Sequence, residues 1–310
     1  MKRSLALLTL VLAPLAFSAD KKAPPPTWTD KDKAFVEYPD FIVQGEYKTK
    51  DGGALQVAAF PENQFHVVTY AGGLPGFGWD GNKPKSELVD AATAKARVKG
   101  LTRIQRSSPT LGAYPPKGAK VLFGDGVNEF KGKVVDGLLQ AGAVSNAEFG
   151  SFQLHLEFFL PFKPTRMVSN QDRGNSGLYI YNRYETQVLD SFSAPHAFGK
   201  ELAFKPQSDP KQWCASFYKV KYPDLNVSLP PLEWQTYDID FTAPKFEGDK
   251  KVANARITVR HNGVLVHDDV ELQKGTGVGG SRPEIPRGAL HLQGHGNPVS
   301  YRNIWIVPKD

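Results

Sequence analysis

Short runs of apolar and β-branched residues, separated by glycine- and proline-containing turns, recur about every ten residues along this 310-residue chain. The clearest is FGSFQLHLEFFL, residues 149–160, in which apolar and polar side chains alternate. A period of two places the apolar side chains on one face of a strand. Asn262-Gly263, between two further runs, is the dipeptide that two-residue hairpin turns prefer. These patterns predict an all-β chain of antiparallel strands.

Proline-rich segments divide the chain. Residues 107–119 (SSPTLGAYPPKGA) carry three prolines and two glycines and predict an exposed domain boundary. Before it, four strand-like runs predict a small accessory β-domain over residues 33–110, and residues 120–310 predict an antiparallel sandwich. Residues 86–97 fit either a short helix or a strand. The four runs are Asp40–Tyr47, Ala54–Phe60, Phe65–Tyr70 and Arg97–Gln105.

The first 18 residues have the pattern of an export signal. Lys2 and Arg3 precede an apolar stretch of 13 residues, Leu5–Phe17, which is too short to span a bilayer. Ala16 and Ser18 are the small residues that cleavage after Ser18 needs at positions −3 and −1, and residues 19–32 are then a linker. We therefore expect a periplasmic or extracellular protein that does not span a membrane.

Charge and cysteine content exclude several classes. The net charge is +6, from 38 Lys and Arg against 32 Asp and Glu, and no run of five or more basic residues occurs. The chain therefore lacks the basic footprint of a nucleic-acid-binding protein. Its single cysteine, Cys214, excludes an intrachain disulfide and a thiolate zinc site.

A glycine-rich segment, GTGVGG at residues 275–280, matches the dinucleotide-binding pattern GxGxxG. That chemistry needs a helix directly after the glycines, and Pro283 and Pro286 prevent one. We interpret the segment as a flexible loop. No cofactor is predicted, and the sequence leaves open whether a divalent metal ion takes part.

The densest polar cluster in strand-like sequence is RGNSGLYIYNRYETQVLD, residues 173–190. Glu185 and Gln187 are two residues apart, so on a strand they share a face. An acid beside an amide suits a sugar, because one exchanges protons and the other binds hydroxyls. Tyr179, Tyr181 and Tyr184 can stack on a sugar ring. The alternative is an edge strand whose Glu and Gln are solvated.

Two other segments present polar side chains suited to the same chemistry. His155 and Glu157 share the polar face of the strand at 149–160, where they can exchange protons or bind a metal ion. His295 lies in a glycine-flanked turn, Gln293 to Asn297, where it is well exposed for proton transfer.

Several segments from Val121 to Val307 together resemble the 3-keto-disaccharide hydrolase domain family. The segments are RGNSGLYIYNRYETQVLDS (173–191), NVSLPPLEWQTYDIDFT (226–242), LQGHGNPVSYRNIW (292–305), residues 121–123, 149–158 and 255–266. The resemblance implies a concanavalin A-like sandwich (jelly roll), preceded here by the accessory β-domain. It also implies action on glycosides that a separate sugar 3-oxidoreductase has oxidised at C3, by C2 proton abstraction, elimination and hydration.

That chemistry needs a base, an acid and an electrophile for the enolate oxygen. We expect Glu185 and His295 to be the acid–base pair, with Glu157 as the next candidate, and Arg173 to bind the enolate or a hydroxyl. The other residues expected to bind the sugar are Asn175, Gln187, Asp190, Tyr179, Tyr184 and Gln293. Two alternatives remain open: an ordinary glycosidase of this fold, which needs two carboxylates, and a non-catalytic carbohydrate-binding module.

Overall fold

The computed structural model describes residues 25–195 and 209–309. The predicted signal peptide, residues 1–18, and the first residues of the predicted linker lie outside these ranges. Within them, no helix is long and apolar enough to cross a bilayer.

Residues 31–104 form a five-stranded antiparallel sheet of order β4-β3-β2-β1-β5 with two short helices. The elements are α1 (Lys31–Glu37), β1 (Gly45–Lys48), β2 (Ala54–Phe60), β3 (Gln64–Tyr70), β4 (Lys85–Asp90), α2 (Ala91–Val98) and β5 (Thr102–Ile104). The strand predicted at 40–47 begins instead as a 3-10 turn, Pro39–Val43. The ambiguous segment 86–97 is both a strand and a helix, because Asp90 ends β4 and accepts a hydrogen bond from Thr93 N (2.7 Å), which caps α2.

Residues 120–308 form an antiparallel sandwich, which confirms the predicted fold class. Its strands are β6 (Lys120–Gly124), β7 (Val127–Asn128), β8 (Phe130–Lys131), β9 (Val134–Val135), β10 (Leu138–Gln140), β11 (Ala143–Phe149), β12 (Phe152–Phe159), β13 (Ser176–Ile180), β14 (Tyr184–Val188), β15 (Trp234–Thr242), β16 (Lys245–Glu247), β17 (Lys250–Ala253), β18 (Ala255–His261), β19 (Val264–Leu272), β20 (Gly288–Leu292) and β21 (Ser300–Pro308). Further 3-10 turns are Val168–Asn170, Pro210–Gln212 and Gly277–Ser281. The predicted hairpin at Asn262-Gly263 joins β18 to β19.

Two sheets enclose the core of the sandwich. The larger runs β19-β18-β15-β12-β21-β10-β9, with β6 paired to β21 and β7 paired to β6, and the smaller runs β14-β13-β20-β11-β8. β16 and β17 form a separate two-stranded sheet. One hydrophobic cluster joins the facing sides of the two main sheets, with Phe158 and Tyr237 from the larger sheet and Leu178 and Leu290 from the smaller. The outer face of the smaller sheet is therefore free to carry polar side chains.

The N-terminal sheet packs tightly against the sandwich. Phe162 and Leu232 of the sandwich lie in the hydrophobic cluster of the N-terminal part, while Phe60 of β2 packs in a cluster with Phe192 and Trp213. These side chains are buried. Each part therefore completes the core of the other.

Residues 107–113, which we call the strap, lie across the outer face of the larger sheet. Thr110 Oγ1 donates to Asp238 Oδ2 (2.7 Å), Gly112 N donates to Glu157 Oε1 (2.6 Å), and Ala113 O accepts from Trp305 Nε1 (3.2 Å). The first half of the predicted boundary at 107–119 is thus bound to the larger sheet by hydrogen bonds. Backbone that is hydrogen-bonded to the sheet, as Gly112 N and Ala113 O are, is protected from proteases, unlike a free connection.

Glu157 holds the centre of the strap. Burial raises the pKa of its carboxyl, but hydrogen bonds outweigh burial and lower the pKa to about 2. The donors are Arg302 Nε (2.7 Å), Asn303 Nδ2 (2.9 Å) and Gly112 N. Because the folded-state pKa lies below 4.5, this stabilisation is present above about pH 4.5 and is lost as the pH falls towards 2.

Glu157→Gln should release the strap. A hydrogen bond to a charged group contributes roughly 1.5–3 kcal/mol, so the strap should open about 10- to 100-fold more often. Limited proteolysis at neutral pH should then cut within residues 107–113 much faster than in the wild type. The control is Glu271→Gln, an exposed glutamate on β19 of the same sheet. Equal cleavage rates in wild type and Glu157→Gln would contradict the role given to Glu157.

Candidate active site

A cavity of about 180 Å³ opens on the outer face of the smaller sheet. Side chains of β13 and β14 alternate, so Leu178 and Val188 enter the core while Tyr179, Glu185 and Gln187 point outward. The described residues lining the cavity are Gln171, Asn175, Tyr179, Glu185, Gln187, Tyr218, Val278, Gln293 and His295.

Glu185 is the only carboxylate among these lining residues, and it is 2% exposed. Its Oε2 accepts a hydrogen bond from Tyr179 Oη (2.7 Å). Burial raises the pKa of the carboxyl to about 7, although the hydrogen bond from Tyr179 opposes the shift. Glu185 can therefore both take up and release a proton near neutral pH.

Glycines make room for this carboxylate. A Cβ on Gly177, on the neighbouring strand, would lie 2.5 Å from Glu185 Oε1. Gly277 has a φ of +43°, and a Cβ there would lie 2.7 Å from Tyr218 Cδ1. A larger side chain at either position would displace a lining side chain.

The loop 275–280 lies beside Glu185 rather than free in solvent. Thr276 Oγ1 accepts from Glu185 N (2.7 Å), and Thr276 N donates to Arg183 O (3.0 Å). A Cβ on Gly279 would lie 2.4 Å from Arg183 O, so glycine is required for this approach. The interpretation of the segment as a flexible loop is therefore wrong: it is anchored to β14 and forms one wall of the cavity through Val278.

Amide side chains form the opposite wall. Gln187 Nε2 donates to Gln171 Oε1 (3.0 Å), while Gln187 Oε1 accepts from Val188 N (3.0 Å). Gln171 Nε2 and Asn175 Oδ1 are buried and have no hydrogen-bond partner among the described residues. Such groups are costly to leave unpaired, and a sugar hydroxyl can satisfy both.

His295 lies at the exposed rim of the cavity, in a turn that buried groups hold in place. Asn297 Nδ2 donates to His295 O (3.2 Å), and Asn297 Oδ1 accepts from Lys163 Nζ (2.7 Å) and Gly174 N (3.3 Å). This network joins the His295 turn to the segment that carries Asn175.

The structure brings together six of the ten predicted site residues: Asn175, Tyr179, Glu185, Gln187, Gln293 and His295. Arg173 and Asp190 lie elsewhere, in a fully buried ion pair (Nε to Oδ2, 2.7 Å). Arg173 Nη1 also donates to Ala59 O of β2 (2.9 Å), and its guanidinium lies over the Phe60 ring. These positions correct the expectation that the pair contacts the sugar, and they assign it to the junction with the N-terminal sheet.

Tyr184 and Glu157 also lie away from the cavity. Tyr184 directly precedes Glu185 on β14, so its side chain points to the opposite face of the strand, into the core. Glu157 lies on the other sheet beneath the strap, next to His155, whose Nδ1 is 2.6 Å from Asp238 Oδ1. Neither side chain lines the cavity, which corrects the expectation that both lie in one site with Glu185.

Sequence reasoning missed Gln171, Tyr218 and Val278. Gln171 follows a 3-10 turn with a φ of +58°, and Tyr218 belongs to an irregular segment. For Val278 the sequence did contain a signal, because a glycine-rich segment indicates that the backbone packs closely against another part of the chain. No group of three or more His, Cys, Asp or Glu residues suited to a metal ion occurs within residues 25–195 and 209–309.

The family model of the 3-keto-alpha-glucoside-1,2-lyase-like domain matches residues 116–307, more than half of the chain. The chain belongs to this family. The match covers every described lining residue of the cavity and excludes the N-terminal sheet.

Three solved structures from Parabacteroides distasonis ATCC 8503, each described as a candidate glycosyl hydrolase, are similar to the chain. The first is 29% identical, with a TM-score of 0.51, and the match covers 62% of this chain and 84% of that one. The second is 17% identical (TM-score 0.41, covering 65% and 93%), and the third is 20% identical (TM-score 0.40, covering 61% and 98%). No curated protein matches the chain significantly. The family and the first structure support a glycoside-acting enzyme of glycosidase type.

Proposed function

We propose that the protein cleaves glycosides that carry a ketone at C3, by elimination across C1 and C2 followed by hydration. The observation that carries this proposal is Glu185, the one carboxylate among the described lining residues, whose pKa is raised to about 7 in a cavity also lined by amides and by His295. A carboxylate of this kind is suited to proton transfer at carbon.

The chemistry follows from the ketone, which acidifies the C2 proton because the resulting carbanion is an enolate. Glu185 takes that proton, and the enolate then forms the C1–C2 double bond as the C1–O bond breaks. The leaving oxygen takes a proton from His295. Water adds its hydroxyl to C1 and gives its proton to His295, and Glu185, whose proton has meanwhile exchanged with solvent, returns a proton to C2. The net reaction is hydrolysis, and both residues end in their starting states.

The unpaired amide groups suit the sugar itself. Gln171 Nε2 can donate to the ketone oxygen, whose negative charge grows in the enolate, and Asn175 Oδ1 can accept from a hydroxyl. A cavity of about 180 Å³ is smaller than the roughly 300–1,000 Å³ of drug-sized sites. We infer that it holds the ring being cleaved, with the leaving group outside beside Tyr218 and Val278.

The ordinary glycosidase has less support. Retaining enzymes need two carboxylates about 5–5.5 Å apart and inverting enzymes need them about 6.5–9.5 Å apart. The described lining residues supply one. A binding module would need no carboxylate with a pKa near 7, because burying one costs stability without aiding recognition.

Two further parts of the proposal concern the setting. The substrate ketone must come from an oxidoreductase that oxidises C3 of a sugar, and that enzyme is the proposed functional partner. The N-terminal pattern at residues 1–18 supports export, with the reaction then taking place in the periplasm or outside the cell.

Product analysis tests the reaction. Purified protein is mixed with 3-keto-trehalose, 3-keto-lactose and each parent disaccharide, and products are identified by mass spectrometry. We expect cleavage of a 3-keto sugar and none of the parents. Cleavage of the parents would favour the ordinary glycosidase, and binding without cleavage of any sugar would favour the binding module.

Tyr179→Phe should shift the pH dependence of turnover. The base form of Glu185 is required, so the acidic limb of the rate profile should rise through about pH 7. The Tyr179 hydroxyl lowers the pKa of Glu185, and its removal should move the rising limb to higher pH. Rates from pH 5 to 9 measure the shift, with Tyr301→Phe, whose hydroxyl bonds Ser176 in the core, as control. An unchanged limb in Tyr179→Phe would contradict the assignment of Glu185 as the titrating base.

A further inference from the structure

A second, larger cavity lies where the N-terminal sheet meets the sandwich. Its volume is about 550 Å³, and it shares no lining residue with the Glu185 cavity. Phe35 of α1, Gln44 and Arg103 line it from the N-terminal side, and Pro230 and Pro231 line it from the sandwich. One wall of this cavity belongs to the N-terminal part, outside the matched family domain, and the other wall belongs to that domain.

A third cavity, of about 420 Å³, continues the second one. Both are lined by Gln105, Arg106 and Ser107, so they are two lobes of one groove along the domain junction. Phe77 lines the third cavity from a loop that packs closely on the sandwich. A Cβ on Gly76 would lie 2.8 Å from Val264 Cγ2, which shows how tightly that loop is seated.

Most of the charge in this groove is neutralised. Lys31 pairs with Glu233, and Arg106 Nε donates to Glu46 Oε2 (2.7 Å). Among the described lining residues, Arg103 is the one charged residue without a carboxylate partner, and it donates to the carbonyl oxygens of Ile42 and Gln44. A groove of this kind gives little attraction to a polyanion and suits a neutral, polar ligand.

The groups left to bind a ligand are amides, a hydroxyl and aromatic rings. Gln44 is 1% exposed, and its Nε2 has no hydrogen-bond partner in the described part of the chain. Gln105 and Ser107 are exposed between the two lobes. Phe35 and Phe77, 40% and 60% exposed, line one lobe each. Hydroxyl edges of a sugar match the amides, and its apolar ring faces match the phenyl rings.

We propose that this groove binds a neutral glycan chain and holds it on the enzyme separately from the Glu185 cavity. The choice of a sugar as ligand rests on the proposed function, whereas the groove needs no ketone on the sugar. Its two lobes, each larger than the Glu185 cavity, suit several successive rings rather than one.

Affinity gel electrophoresis tests the proposal with unoxidised polysaccharides. The gels contain laminarin, hydroxyethyl cellulose, glycogen, dextran, galactomannan or xylan, with alginate as the acidic comparison. The protein carries Glu185→Gln throughout, and the polysaccharides carry no ketone, so 3-keto chemistry does not affect the readout. The variants are Phe35→Ala, Phe77→Ala and Gln105→Ala, and the control is Val36→Ala, which is 79% exposed on α1 and does not line the groove.

We expect at least one neutral polysaccharide to retard the Glu185→Gln protein and its Val36→Ala control equally. Phe35→Ala and Phe77→Ala should weaken that binding about tenfold, as loss of an aromatic anchor does. Gln105→Ala, which removes an exposed side chain without disturbing the core, should weaken it by at least about threefold. No retardation by any neutral polysaccharide, retardation by alginate alone, or a weakening below about threefold in the groove variants would overturn the proposal. A failure of 3-keto cleavage would leave this result unaffected, so the two proposals fail separately.

Discussion

Glu185→Gln should lower turnover of a 3-keto disaccharide by about 10²–10⁴-fold, the usual size of a lost acid–base contribution. Glutamine keeps the shape and can still accept the hydrogen bond from Tyr179, but it cannot take up the C2 proton. Folding should be preserved, because replacing a buried carboxyl of raised pKa by a neutral amide removes a cost of desolvation. Steady-state rates at pH 8 and thermal unfolding measure both effects.

The matched control is Glu148→Gln, an exposed glutamate on β11 of the same sheet. It should keep wild-type turnover. If Glu185→Gln also turns over at the wild-type rate, the site assignment is wrong. A protein that binds the 3-keto sugar normally and fails only in cleavage is the outcome that supports proton transfer.

Arg173→Met should destabilise the fold by about 3–5 kcal/mol, the cost of removing one partner from a buried ion pair. Arg173 and Asp190 are both 0% exposed, and Arg173 also binds Ala59 O and Arg166 O. Burial raises the pKa of Asp190, and the Arg173 guanidinium opposes that rise, so its removal leaves a buried carboxyl without compensation. Denaturant unfolding followed by tryptophan fluorescence measures the loss.

The double variant Arg173→Met/Asp190→Leu should recover much of the lost stability, because it leaves no unpaired buried charge. Arg256→Met, which breaks the exposed pair with Asp269, should change stability little. If Arg173→Met keeps wild-type stability but loses binding of the 3-keto sugar, Arg173 is a substrate ligand and its assignment to the domain junction is wrong.

Local sequence patterns predicted the strand faces and the hairpin turn, which depend on neighbouring residues. The alternation at 149–160 placed Phe152 and Phe158 in the core, and the Asn-Gly pair marked the β18–β19 turn. The parity of Glu185 and Gln187 put both on the outer face of β14, where they line the cavity. Each of these depends only on residues near in sequence, and strand geometry fixes the rest.

Contacts between distant residues could not be predicted in this way. The same alternation correctly placed Glu157 on the outer face of its strand, but it could not show that the strap covers that face. Glu157 thus became a buried anchor rather than a solvated acid. A residue at a strand surface is available to substrate only when no other segment packs over it.

The motif around Glu185 shows a second limit. Arg173 and Asp190 flank the strand pair β13–β14, in turns where parity does not determine the direction of a side chain. The two side chains pair with each other, and Arg173 also donates to Ala59 O on β2, more than a hundred residues earlier. The role of the loop at 275–280 was missed for a similar reason, since its contacts with Arg183 and Glu185 bridge about ninety residues. Glycine density indicated the close approach but not what is approached.

Proton exchange at C2 of the sugar tests the central claim most directly. A 3-keto disaccharide is incubated with the protein in D₂O, and C2 deuteration of the recovered substrate and product is followed by NMR and mass spectrometry. We predict one deuterium at C2 of the product, and no incorporation above background with Glu185→Gln, while His295→Ala still deprotonates C2 but releases the leaving group slowly. Wild-type product that keeps its original C2 proton would contradict elimination, and wild-type exchange in Glu185→Gln would contradict Glu185 as the base.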